Sequence, residues 1–427
     1  MYSPSELPQG WNQCVLGDLI ETVSSGVSVN SEDRSCTKGE LGVLKTSCVY
    51  SGVFRASENK AVLPEETKRV RTYARADHII VSRMNTPELV GASGYVEETH
   101  PTIFLPDRLW QLRTKSSADA RWLAFVLGSS KYRVLLRAIA TGTSQSMKNI
   151  SQEAFLRLPV TTPLVSEQRR IAQVLRTWDY AIEILSKLAR AKEKYIRGTL
   201  AESVSDARSL HKRHDWIRTT IGEVTKLVSR RAVWNEQAVY RLITVKRACG
   251  GLVFRGDRKG HEILTKDMYT VRANDFVISK RQVVHGAWAM AGTEFDGTHV
   301  SKEYACLEAM PDKLWMPYFD WLSRTERLQY EAFICSYGVD IEKMVLNVDW
   351  LLQTPILLPR SVDAQKALAG ALDCLQDEVR LLRNQLEALR RQKRGLVQKL
   401  LSGEWRVAHG NGDMGVATLR VTEEAAQ

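Results

Sequence analysis

The seven cysteines of this 427-residue chain, at 14, 36, 48, 249, 306, 335 and 374, form no C-x-x-C pair. Their odd number and irregular spacing argue against a disulfide framework or a cysteine-built zinc site, and favour a reducing compartment. His211 and His214 stand three apart with no cysteine near them, and a ligand role is not expected. No stretch approaches the about 20 apolar residues of a membrane span. The opening MYSPSELPQGW lacks the apolar run of a secretory leader, so a soluble, cytoplasmic protein is the expectation. Catalytic signatures are missing too. There is no G-x-x-x-x-G-K-[ST] phosphate loop, no G-x-G-x-x-G fingerprint between a strand and a helix, no H-E-x-x-H and no G-x-S-x-G. The Asp/Asn-Pro-Pro-Tyr/Phe signature by which amino-methyltransferases hold a flipped base is also absent. Pro106-Asp107 and Pro311-Asp312 begin like a metal-dependent nuclease motif, but no acid-x-lysine strand follows at the usual distance, and both read as turns. A non-catalytic chain that binds no cofactor or metal of its own is the expectation.

What is present is positive charge and repetition. The formal net charge is +11, with a sequence pI near 9.3. That points to a polyanion, most simply nucleic acid, although mild basicity also occurs on plain solvated surfaces. Apolar content of 44% is enough for cores, and the length suggests two or three units.

In SEQRRIAQVLRTWDYAIEIL (166–185) the apolar positions Ile171, Leu175, Trp178, Ile182 and Leu185 step by four, three, four and three. That alternation keeps one stripe facing a partner helix. A second stripe runs through Leu368, Leu372, Leu375, Val379, Leu382, Leu386 and Leu389, continuing to Leu396 and Leu400. Ile171 and Leu368 lie 197 apart, as do Ile182 and Val379. The register is shared, and the chain reads as a duplication.

The repeat extends well beyond the helices. GWNQCVLGDLIE answers DWIRTTIGEVTK, pairing Trp11 with Trp216, Gly17 with Gly222 and Asp18 with Glu223; each suggests a strand turning into a helix start. VLKTSCVYSGVF and LITVKRACGGLVF each read as strand, polar stretch, Gly turn and Val-Phe strand. ADHIIVSRMN matches NDFVISKRQ, with Ser82 on Ser279 and Arg83 on Lys280. Helical stretches follow near Trp122–Leu136 and Trp315–Ala332, then a small-residue loop, a strand closing on proline, and the long helix, which Ser166 or Asp363 can cap. Gln168 and Gln365 hold the same place at its start. The expected fold is α+β: mixed α/β domains at 1–164 and 205–360, each followed by a long helix, at 165–204 and 361–403, and a loosely ordered tail within 404–427. Apolar stripes gain roughly 1.5–3 kcal/mol per buried Leu or Ile. The two helices should therefore pack together, as an antiparallel coiled coil giving pseudo-two-fold symmetry. At ~1.5 Å per residue the first would be roughly 50 Å long, somewhat more than one turn of duplex DNA.

Base readout needs side chains with paired donors and acceptors. In the first half these cluster at Lys45, Thr46 and Ser47, at Arg83, Asn85 and Thr86, and at Thr143, Ser144, Gln145 and Lys148. The matching places in the second half hold Lys246 and Arg247, then Lys280, Arg281, Gln282 and His285, then Tyr337 and Lys343. For each residue, base readout, phosphate contact and a solvated loop all stay open. The halves keep their apolar and turn positions and differ in these polar ones. Two readers of different half-sites would look so, and so would a drifted duplication.

The tandem layout, SEQRRIAQVL after a proline-ended strand, TGTSQ, SRMNTPELVG and the final LVQKLLSGEWRV resemble the specificity subunit of type I restriction–modification enzymes. The resemblance covers residues 7–407. It implies two target-recognition domains, each reading one part of a split, asymmetric site on double-stranded DNA. It implies helices that measure the gap and dock two methylation subunits, with Gln168 and Gln365 as candidate docking residues. It also implies that those subunits bring S-adenosylmethionine and that a motor-nuclease subunit brings ATP and Mg²⁺. The second half departs from the pattern, with SYGVDIEKM for the T-G-T-S-Q loop and DAQ for SEQ. A nuclease or methyltransferase built on a DNA-reading scaffold, and a coiled-coil scaffold that binds no DNA, are the rival readings.

Overall fold

A computed structural model describes residues 7–142, 147–204, 215–407 and 419–421. His211, His214, most of the joint between the halves and most of the tail after 407 lie outside the described residues. The chain divides into two compact units, residues 1–184 with 386–427, and residues 185–385. The division falls inside both long helices, Val165–Val204 and Val362–Ser402.

In the first unit, Trp11 precedes the strand Asn12–Val15, which pairs antiparallel with Pro159–Thr162. A one-turn helix, Leu16–Leu19, follows, and the Asp18 carboxylate accepts from the Val15 N–H at 3.0 Å. This is the work of the Gly-acid pair. Two sheets stand behind it. One has the order Ile20–Ser25, Leu109–Thr114, His78–Ser82, Ser93–Val96, all antiparallel. The other has the order Ser31–Glu32, Asn59–Val62, Gly42–Leu44, His100–Phe104, Tyr73–Ala74, with one parallel pair between Gly42–Leu44 and His100–Phe104. The Trp- and Leu-rich stretch is two helices, Ala120–Gly128 and Ser130–Ala138, because the Ser129 hydroxyl turns aside to accept from the Tyr132 N–H.

The second unit repeats this plan. Trp216–Thr220 pairs with Pro355–Pro359, and the Glu223 carboxylate accepts from the Thr220 N–H at 2.9 Å. Its sheets have the orders Thr225–Val228, Tyr304–Ala309, Phe276–Ser279, Trp288–Met290 and Leu252–Lys259, Val239–Val245, Thr298–Ser301, Met268–Val271. Again one pair is parallel, Val239–Val245 with Thr298–Ser301. Asp77 and Asn274, 197 apart, both take the left-handed conformation (φ 57° and 67°) at the turn into the central strand, which short polar side chains tolerate best.

The halves differ after the first parallel strand. In the second unit the chain makes the expected strand–turn–strand hairpin. In the first, Thr46–Gly52 is a 3₁₀ helix and Val53-Phe54 is not a strand. Cys48 and Val49 are adjacent and both wholly buried, which an alternating strand facing one core cannot achieve.

Within each unit, half of one long helix runs antiparallel to half of the other. In the first, Ile171, Leu175, Leu386, Leu396 and Leu400 are buried, with Trp178, Ile182 and Leu389 half-buried; Lys393 Nζ lies 2.5 Å from Asp179. In the second, Leu372 and Val379 are buried with Ile196 and Leu200, and Leu185, Leu368, Leu375 and Leu382 are half-buried. Lys192 pairs with Glu378 and Arg383 with Glu193 across that seam. The helices start at Val165 and Val362, so Ser166 and Asp363 sit in the first turn and do not cap it.

Gln168 and Gln365 require a correction. They are 1% and 0% exposed. Gln168 Oε1 accepts from the Asp119 N–H (2.8 Å), and its Nε2 donates to Thr162 Oγ1 (2.9 Å), Pro163 O (2.9 Å) and Ser117 O (3.3 Å). Gln365 repeats the device with the Trp315 N–H (2.8 Å), Lys313 O and Pro359 O (both 3.0 Å). No polar atom is left for a partner. These residues clamp each helix to its own domain.

Candidate nucleic-acid interface

In the first unit the central strand His78–Ser82 delivers Arg83–Thr86 to one end of the sheet. Met84–Asn85 pairs with Lys148–Asn149, and the Ile150 N–H donates to Arg83 O. Two of the polar stretches therefore meet. The second of these stretches is preceded by Gly142, with φ 143°, where a Cβ would lie 2.7 Å from Met147 O; only glycine fits. Thr143, Ser144 and Gln145 lie outside the described residues.

The side chains in this cluster divide by what they already hold. Arg83 Nε donates to Asp107 O at 2.7 Å, and the guanidinium lies 6.0 Å above the Trp110 ring. Asn85 is 9% exposed; its Nδ2 donates to Ser82 Oγ (3.1 Å) and its Oδ1 accepts from the Thr86 N–H (2.9 Å). It shapes the loop and is not placed to read a base. Lys148 Nζ donates to Gly142 O at 2.7 Å, an exposed contact that an incoming phosphate could replace. Lys45, Thr46 and Ser47 sit at the start of the 3₁₀ helix, where the Ser47 hydroxyl donates to Glu58 (2.7 Å). Among the described residues no hydrogen bond joins them to the Arg83–Lys148 pair.

The second unit closes its cluster more tightly. Ser336–Tyr337 pairs with Val345–Leu346, and the Leu346 N–H donates to Lys280 O, as Ile150 does to Arg83. Gly338 (φ 155°) repeats the role of Gly142. Arg247 bridges the pieces, with Nε donating to Gln282 Oε1 (2.7 Å) and NH2 to Glu342 (2.8 Å). His285 Nε2 lies 3.1 Å from the same carboxylate without the alignment of a hydrogen bond. Arg281 pairs with Glu303 at 2.5 Å. Lys246, Lys343 and Tyr337 are exposed. Arg247 and Glu342 are each about half exposed, so the network adds little stability and mainly holds cations in place. Sequence reasoning missed Glu342, Asp107 and Trp110. Spacing could not reveal them, though the matching loop glycines were a visible sign.

Among the described residues no three His, Cys, Asp or Glu side chains could hold a metal ion, and no helix is long and apolar enough to cross a membrane. Residues 8–191 match the family model of the type I restriction modification DNA specificity domain. That match makes the first unit similar to the type I restriction–modification specificity subunits. It is 28% identical over 207 residues to the type I restriction enzyme EcoEI specificity subunit of Escherichia coli, a match covering 48% of this chain and 34% of that one. The chain thus spans about a third of that relative's length. The type I restriction enzyme MjaX specificity subunit of Methanocaldococcus jannaschii is 22% identical over 431 residues, covering 94% of this chain and 95% of its own. The crystal structure of the type I system S subunit from M. genitalium superposes with a TM-score of 0.55 at 16% identity, over 93% of this chain and 98% of that one; at that identity it shows a shared fold. The family match falls on the first unit and the head of the first long helix. The second unit carries the same central strand, helix pair and proline-ended strand in the same order, with other polar groups at their ends.

Proposed function

We propose that this chain is the DNA-specificity subunit of a type I restriction–modification complex, and that its two units each read one part of a bipartite, asymmetric site on double-stranded DNA. One observation carries the reading. The Ile150 N–H meets Arg83 O in one unit as the Leu346 N–H meets Lys280 O in the other, each downstream of a positive-φ glycine, yet the polar groups beside this shared contact are Arg83 and Lys148 in one and Arg247, Gln282, His285 and Lys343 in the other. A shared backbone contact beside the central strand, with exchanged polar groups around it, fits two readers of unlike half-sites. The long helices set the spacing between half-sites and dock two methylation subunits, with motor-nuclease subunits joining the full complex. S-adenosylmethionine, ATP and Mg²⁺ belong to those partners; this chain is the recognition component, working in the cytoplasm, and is not itself an enzyme.

The test is to express the chain with its partner methyltransferase and map methylated adenines against a strain lacking this gene. A bipartite motif that disappears with the gene supports the proposal. Sequence-specific methylation that persists without the chain, or methylation and cleavage by the purified chain alone, would overturn it.

A further inference from the structure

The second unit carries a basic element that the first lacks. From Val239 to Lys259 there are six Lys or Arg residues against one acid, Asp257, and that acid faces Arg241 at 3.5 Å. This segment is the hairpin of Val239–Val245 and Leu252–Lys259, the latter an edge strand exposed from Phe254 onward. Arg255, Arg258 and Lys259 have no side-chain hydrogen bond or ion pair among the described residues. The corresponding first-unit strands, Gly42–Leu44 and Asn59–Val62, are short, and Lys60 there is held by Asp33 at 2.9 Å.

The hairpin is fixed to the reading cluster at its turn. The Ala248 N–H donates to His285 O (2.7 Å) and the Cys249 N–H to Gly286 O (2.9 Å). Ala248 and Cys249 are both left-handed, φ 54° and 51°, a strained pair that these bonds retain. Further along, the pairing passes from Ile243↔Phe254 to Leu242↔Gly256, leaving Arg255 as the extra residue of a bulge, with Gly256 at φ 109°. A bulge re-aims side chains and increases local twist. At about 3.3 Å per residue, Lys259 stands roughly 26 Å from Gly251. That length matches about eight base pairs of duplex at ~3.4 Å each.

We propose that this hairpin is a DNA-backbone arm of the second unit: Arg255, Arg258 and Lys259 lie on phosphates to one side of the bases read by the Arg247–Gln282–His285 cluster. The inference rests on the DNA-reading function above and adds to it an asymmetric footprint. Phosphate contacts position a reader without carrying sequence information. The arm should therefore change affinity and salt dependence and leave the motif untouched.

The experiment compares the full-length parent and R255Q/R258Q/K259Q, each in complex with the methyltransferase, on a duplex containing the site. Each lost phosphate contact removes about 0.9 from the slope of log K against log salt, so the slope should fall by about two to three. One flank of the footprint should shorten while the methylated motif stays the same. R255K/R258K should keep the parent slope, because a phosphate accepts either cation. A triple variant with the parent's slope and footprint overturns the arm while DNA reading stands; if that variant also aggregates, the cations serve to protect a sheet edge. A parent complex with no salt-dependent binding refutes the function itself, and the arm with it.

Discussion

Replacing Gln168 by alanine should destabilise the first unit by about 2–4 kcal/mol. The side-chain oxygen accepts one hydrogen bond and the two N–H groups serve three acceptors, all in a site that is 1% exposed. A net hydrogen bond contributes about 0.5–1.5 kcal/mol, and a buried group left unsatisfied costs about 1–3 kcal/mol. Water entering the vacated space offsets part of the loss, hence the middle of that range. For a unit of this size the midpoint of thermal unfolding should drop by roughly 5–15 °C. Q168E should do worse, because a carboxylate oxygen would then face the Pro163 and Ser117 carbonyls. Q365A should produce a matching drop in the second unit. Differential scanning calorimetry of the full chain measures all three. A Q168A protein that melts within about 1 °C of the parent yet fails to assemble with methylation subunits would refute the clamp and restore the docking role.

Four residues of helical sequence inserted after Leu185, matched by four after Gln385, leave the half-helix pairing inside each unit intact and lengthen the connection by ~6 Å. The methylated motif should keep both half-sites and widen its gap by one or two base pairs; a folded variant with the original gap shows that the helices do not measure DNA. Alkylation should reach the exposed Cys374 long before Cys48 or Cys306. Burial pushes both of those thiols up, Cys306 to about 12, so at pH 8 only about one Cys306 in ten thousand is thiolate. Peptide mapping after brief iodoacetamide treatment checks the order, and equal labelling of Cys306 and Cys374 would contradict the burial.

Periodicity made the architecture legible. The repeat placed both long helices and both central strands, 197 residues apart, and the Gly-acid helix starts, 205 apart, because each depends on where apolar and turn residues fall along the chain. Polar side chains were harder to assign, since their residue type does not say which atoms are already in use. Asn85 and Gln168 have the donors and acceptors of a reader or a docking residue, and spend them on Ser82, Thr86, Asp119 and Thr162. Arg406 shows the same limit from the other side. It lies just past the second helix, where sequence suggests a tail, yet it makes a bidentate pair with the buried Glu167 (2.6 and 2.7 Å) and donates to Gln9 O (2.8 Å). Nothing in local pattern links residues 239 apart. The 3₁₀ helix at Thr46–Gly52 escaped for a related reason: its two neighbouring core residues obey tertiary demand, not strand alternation.

The central claim is that two separate readers share one chain, and exchange of one reader tests it most directly. Residues 1–165 are replaced by those of another specificity subunit, the chimera is assembled with the methyltransferase, and its methylated motif is determined. The account predicts that one half-site changes while the other half-site and the gap stay as in the parent. A chimera that methylates DNA with both half-sites altered, or with neither altered, contradicts it.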